Sequence, residues 1–196
     1  MNRREPFQND VDPATHLVLP LLILLAARQP PRLAVPLSLF AILPDFDSLF
    51  GIHRELFHNI FIAVLLPLAF LYYAKARKPS FVLPMSMILF YLVSHLVLDL
   101  DGVALLYPVY DGAFYFIPVL FVHTAPTFGF DFHVEWGITN LVQHNDYVFV
   151  SELGFIFIFI FIILLIIFRK EMKGWFSRRL DDCRWLISKI KSLFAG

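Results

Sequence analysis

The chain holds one cysteine, Cys183, so an internal disulfide and a cysteine-rich zinc site are both excluded. Any bound metal must be held by histidine and carboxylate. Charge is also scarce, with 16% of the 196 residues charged against 59% hydrophobic, a balance far from that of a soluble globule and suited to an integral membrane protein. The formal net charge is zero, but its distribution is uneven, and residues 101 to 146 contain neither Lys nor Arg. No Ser-His-Asp order, phosphate-cradling glycine loop, CxxC pair or nucleic-acid motif is present. No small-residue cleavage site follows MNRREPFQNDVDPATH, so a cleaved signal peptide is not expected.

Against this background LPDFDSLFGIHRELFH, residues 43 to 58, is anomalous. It packs Asp45, Asp47, His53, Arg54 and His58 between apolar runs. Ionisable groups in such surroundings are costly unless they pair or bind an ion.

The apolar runs read as helices. Asp12-Pro13 starts the first, from about Pro13 to Ala27, with a kink expected at Pro20. RQPPR turns the chain into a second, from about Leu33 to Leu43. At about 1.5 Å per residue both are shorter than the roughly 30 Å hydrocarbon core, so their ends would be recessed. A third helix is expected from about Arg54 to Ala76, closed by KARKP, and a fourth from about Phe81 to Leu100, ending in SHLVLD. The 101 to 146 stretch reads as a long loop capping something. Beginning near Tyr147 and uninterrupted from Leu153 to Phe168, a fifth helix faces lipid. Basic residues with apolar ones at helical spacing follow, as in an amphipathic helix on an anionic membrane surface.

The expected fold is therefore an all-α integral membrane protein with about five transmembrane helices. Residues 1 to 168 would form the polytopic domain and residues 169 to 196 a basic cytoplasmic tail helix. The positive-inside rule then puts RQPPR, KARK and the C-terminus in the cytoplasm of a prokaryotic-type cell. By the same rule His16, the 44 to 58 segment, His95 and Asp99 gather on the extracytoplasmic side. That convergence makes His16, Asp45, Asp47, His58, His95 and Asp99 candidate ligands for one or more divalent ions.

Each has a simpler reading. His95 and Asp99, four apart on one helix face, can grip an ion or merely bond to each other. Asp45 and Asp47 point the same way on an extended backbone and could bridge two ions, or one could cap a helix. His16 alone would be a structural histidine. His53 reaches the same place as His58 only if it precedes the helix. Arg54 could hold a phosphate oxygen or snorkel to lipid headgroups. Asp101 follows Asp99 too closely to share its face and fits a supporting role. His53 and Arg54 are the candidate catalytic residues.

Taken together, His16, LPDFD at 43 to 47, HRELFH at 53 to 58, HLVLD at 95 to 99 and GVALLYP at 102 to 108 resemble the membrane-bound, metal-dependent hydrolases typified by the LexA-regulated YdjM-like inner-membrane proteins. The chain departs from that pattern at Glu55, at Asn59 and after Asp99. The resemblance implies a multi-helix membrane protein with a His/Asp metal site and hydrolase activity. Zinc fits such a donor mixture. A lipid or lipid-linked phosphoester is the expected substrate, membrane lipids the expected partner, and nucleic acid is not expected. The alternative is a metal transporter or sensor without catalysis.

Overall fold

The computed structural model describes residues 11–49, 54–123, 128–140 and 150–167. It contains helices α1 (Pro13–Ala26), α2 (Pro31–Leu37), α3 (Leu66–Arg77), α4 (Val82–Leu98) and α5 (Glu152–Ile167), with strands β1 (Ala113–His123) and β2 (Gly129–Thr139) between α4 and α5.

The start of α1 follows from its sequence. The Asp12 carboxylate accepts the Thr15 backbone N–H at 3.0 Å and the Thr15 hydroxyl at 2.7 Å, and Pro13 fills the first turn, where no N–H is needed. Pro20 sits inside the helix and lacks the N–H that would bond the His16 carbonyl. At the other end Arg28 takes φ 57°, with its N–H on Leu25 O and that of Gln29 on Leu24 O, each at 3.0 Å. This is the Schellman closure that usually falls to glycine.

Asp12 also joins α1 to α5. The Ser151 hydroxyl donates to Asp12 and accepts the Gly154 N–H at 3.2 Å, so one carboxylate organises two helix starts. A Cβ on Gly154 would collide with that carboxylate, which is why glycine stands there. Behind this junction Leu21 and Leu24 of α1 pack on Ala34, Ala41, Met87 and Tyr91. The Tyr91 hydroxyl donates to Ala34 O at 2.8 Å and ties α4 to α2. A second core joins Ala63 to Ile88, Leu92 and Leu96 of α4 and to Val103.

The five-span, all-α expectation is overturned. Among the described residues one helical stretch, Pro79–Leu98, is long and apolar enough to cross a membrane, while Pro13–Ala26 and Glu152–Ile166 are shorter apolar helices. Proline explains the shortfall in the second and third segments. Pro30, Pro31, Pro36 and Pro44 confine α2 to seven residues, continued by a 3-10 turn at Ser38–Ala41. Pro67 cannot donate to the carbonyl behind it, and the chain enters α3 through a wide π turn at Phe61–Leu65. The 101 to 146 stretch contains an antiparallel hairpin, in which Ala113 pairs with Thr139 and His123 with Gly129. Its base is fastened to the end of α4, with Phe116 donating to Leu100 O at 2.6 Å and Val103 bridging Phe114. The expected tail helix at 169 to 196 lies outside the described residues.

Burial would raise the Asp12 pKa, but hydrogen bonds from Ser151 and Thr15 outweigh it and hold the carboxyl below 3.8. The stabilisation from this junction is therefore present above pH 3.8 and lost as pH falls through the lowered value. Asp12→Ala should cost about 0.5 to 2 kcal/mol, the usual worth of a cap. Thermal unfolding in detergent at neutral pH checks this, and Gly154→Val should lower the midpoint through the same junction.

Candidate metal centre

Four polypeptide segments deliver ionisable side chains to one point. His16 comes from the second turn of α1 and Asp45 from the 3-10 turn Pro44–Leu49. His58 comes from the bend before α3, and His95 with Asp99 from the end of α4. One donor atom each from His16, Asp45, His95 and Asp99 lies within 4.8 Å of all the others. His58 joins them, its Nε2 lying 2.8 Å from His95 Nε2, 3.2 Å from Asp99 Oδ2 and 3.9 Å from Asp45 Oδ1. His95 Nε2 stands 3.1 Å from Asp99 Oδ2, as the four-residue spacing requires, and 3.5 Å from Asp45 Oδ1. The His16 ring stacks on that of His95 with centroids 3.9 Å apart, and its Nε2 is 3.3 Å from Asp99 Oδ1. His16, His58 and His95 are 0% exposed, Asp99 1% and Asp45 8%.

The backs of two imidazoles are fixed. His95 Nδ1 lies 2.6 Å from the Ala41 carbonyl, and a carbonyl can only accept, so the proton is assigned to Nδ1. When neutral, His95 thus turns a bare Nε2 lone pair inward. His58 Nδ1 donates to Asp47 Oδ2 at 2.7 Å, the carboxylate–histidine arrangement common behind metal ligands. Asp47 also accepts the Glu55 backbone N–H at 3.2 Å.

Asp47 therefore stands behind His58 rather than beside Asp45. An extended backbone would aim both aspartates the same way, but a 3-10 turn advances about 120° per residue and sends residues two apart in different directions.

Arg54, expected to face substrate or headgroups, is 2% exposed and turned inward. Its two terminal nitrogens donate to Asp101 at 2.7 Å and to Asp99 at 3.0 Å. The backbone there has φ 68°, a left-handed conformation uncommon for a side chain of this size. The Arg54 carbonyl meanwhile receives the Ala104 N–H at 3.1 Å. The signal that could have assigned Arg54 this role was the Asp99/Asp101 pair itself, two carboxylates at one helix end that need a cation. His53 lies outside the described residues, as does His144. His133 sits on the hairpin against Phe121 and Glu135, and the His123 backbone ends β1.

These donors fit a divalent cation. Arg54 meets Asp99 and Asp101, while Asp47 lies on His58 and Asp45 beside His95, so buried carboxylate oxygens and imidazole nitrogens converge in a region shielded from water. Neither ring nitrogen of His16 has a hydrogen-bond partner among the described residues, and neither does Asp99 Oδ2. Burial lowers the basicity of His58, but the hydrogen bond to Asp47 and the nearby Asp99 carboxylate outweigh this and raise its pKa from 6.5 to about 9. Nitrogen and oxygen donors without thiolate suit zinc, manganese or iron.

Arg54→Ala should be strongly destabilising, by about 3 to 5 kcal/mol, because it leaves buried carboxylates uncompensated. Arg54→Lys should fall between it and the parent, since an ammonium keeps the charge but not the two-pronged geometry. Unfolding midpoints in detergent test both; an Arg54→Ala protein as stable as the parent would contradict this role.

The chain matches the sequence profile described as YdjM inner membrane protein over residues 11–175. No curated protein and no solved structure matches it.

Proposed function

Since this chain belongs to the YdjM inner membrane protein family, we propose that it is a membrane-embedded, metal-dependent hydrolase acting on a phosphoester of a lipid or lipid-linked substrate. The observation that carries the reading is the convergence of His16, Asp45, His95 and Asp99 donor atoms within 4.8 Å at the end of the apolar helix α4. These four residues would hold the ion, with His58 completing the set. Such an ion, zinc by preference, supplies Lewis acidity and makes water a nucleophile near neutral pH. The Ala41 carbonyl and Asp47 keep the His95 and His58 rings turned so that Nε2 faces the centre. Arg54 orients Asp99 and balances its charge. Asp45 is the most exposed of the five ion-facing side chains, so substrate would approach from its side. His53 remains a candidate for proton transfer in the reaction.

The lipid substrate class is supported by location, because the centre begins at the end of the Pro79–Leu98 stretch, which is long and apolar enough to cross a membrane. Its side of the membrane follows from the flanks of that helix. Lys75, Arg77 and Lys78 precede α4, whereas Asp99 and Asp101 follow it. The positive-inside rule assigns the basic end to the cytoplasm and the centre to the extracytoplasmic side.

A second reading is favoured by the burial of the ligands, none of which is more than 8% exposed. Closed sites hold structural or sensing metals as readily as catalytic ones, so the protein could bind metal as a transporter or sensor without turnover.

Metal analysis of detergent-purified protein, followed by a phosphoester panel assayed with added divalent metal, separates the readings. Stoichiometric metal with turnover supports the hydrolase, and metal without turnover supports the second reading. Metal-free protein that takes up none on titration overturns both. His95→Ala and Asp99→Asn should each reduce metal affinity by at least about tenfold. Asp47→Asn should weaken it within the roughly 10- to 100-fold range of ligand-supporting residues. In a Cys183→Ser background, Val109→Cys should react with an impermeant thiol reagent on intact cells and Lys78→Cys only after permeabilisation; the reverse pattern would overturn the orientation.

A further inference from the structure

The register of the hairpin sorts its side chains into two unlike faces. Directly paired residues share a face, so Phe114 with Ile138, Phe116 with Trp136, Pro118 with Val134, Leu120 with Phe132 and Val122 with Phe130 all project to one side. All ten are apolar. The other face carries Asp131, His133 and Glu135 opposite Phe121, Val119 and Ile117. His133 stacks on Phe121 at 5.4 Å and lies 3.4 Å from Glu135.

The apolar face is open. Trp136 is 76% exposed, Phe130 66% and Leu120 62%. At about 3.4 Å per residue an eleven-residue strand is some 35 Å long, so this uncovered strip far exceeds the scattered apolar residues of a water-facing surface. Its position says what covers it. The hairpin is fastened at its base to Leu100 and Val103, immediately beyond the membrane-length helical stretch that ends at Leu98. A ribbon rooted there starts at the boundary between hydrocarbon and water.

We propose that β1–β2 is an interfacial paddle that lies along the bilayer surface with its Phe116/Trp136 face in the acyl boundary and its Asp131/Glu135 face in water. Lying flat reconciles two constraints. The apolar face leaves water, while the backbone groups along the two outer strand edges stay in the hydrated headgroup layer, which they could not do inside the hydrocarbon core. Aromatic side chains are the type that prefers this depth. The paddle fixes the height of the end of α4, and with it of Asp99, against the lipid surface. It rests on the membrane location of the family and not on the hydrolase reading.

Full-length protein is reconstituted into vesicles of phosphatidylcholine and phosphatidylglycerol, with Trp175→Phe and Trp185→Phe leaving Trp136 as the reporter. Trp136 fluorescence should be quenched by phosphatidylcholine brominated on its acyl chains and protected from aqueous acrylamide. Moving the reporter to the other face, with Trp136→Phe and His133→Trp, should reverse the pattern. Quenching of both reporters by brominated lipid would mean that the hairpin is engulfed, and would overturn the proposal. So would acrylamide access at both positions. Protection of Trp136 from both quenchers would mean that protein, such as a second copy, covers this face, and would equally overturn it.

Discussion

The carboxylate of Asp99 is the contact on which the rest of the centre depends. It is buried where α4 ends and lies within 3.3 Å of His16, His58, His95 and Arg54. A lone carboxylate in such a place would be strongly disfavoured, and each neighbour answers part of that cost. Arg54 supplies a full positive charge, and with a cation present the imidazoles would share its ligation with Asp99. The price of assembling so many polar groups is met by segments that would otherwise have little reason to meet, namely the start of α1, the 3-10 turn Pro44–Leu49, the bend at His58 and the end of α4.

Packing lets those segments reach Asp99. Buried alanines at 34, 41 and 63 let backbones approach closely, and Tyr91 bridges α4 to α2 two turns from the centre. The Ala41 carbonyl, on the last residue of a short 3-10 helix, then fixes the tautomer of His95. Asp12, capping α1 one turn before His16, holds that histidine in place and brings α5 alongside. Structure and prospective chemistry thus share residues, so changes that loosen the helix starts should also loosen the centre.

The ligand candidates were legible because helical geometry is simple. His95 and Asp99 are four apart and had to share a face, and His16, Asp45 and His58 stand at element ends where an ionisable group in a greasy chain needs a reason. Asp12 was equally readable as a cap. Less legible was anything decided by an irregular backbone. The 3-10 turn separates Asp47 from Asp45, and the left-handed backbone at Arg54 lies beside a guanidinium turned inward. Helix lengths were overestimated where prolines cut apolar runs short, as in α2, because hydropathy registers composition and not continuity. The hairpin left a readable trace in GFDFHVEWGIT, whose alternate residues are apolar. Reading the stretch as a loop passed over that period of two, and Pro118 and the glycines obscured it further.

The central claim is that the point shared by His16, Asp45, His95 and Asp99 is built for a divalent cation. X-ray absorption at the metal edge of zinc-loaded protein in detergent tests it directly. The account predicts a shell of nitrogen and oxygen with the multiple-scattering signature of imidazole, weakened in His95→Ala and free of sulfur. A shell of water-like oxygens without imidazole, or a spectrum unchanged in His95→Ala, would contradict it.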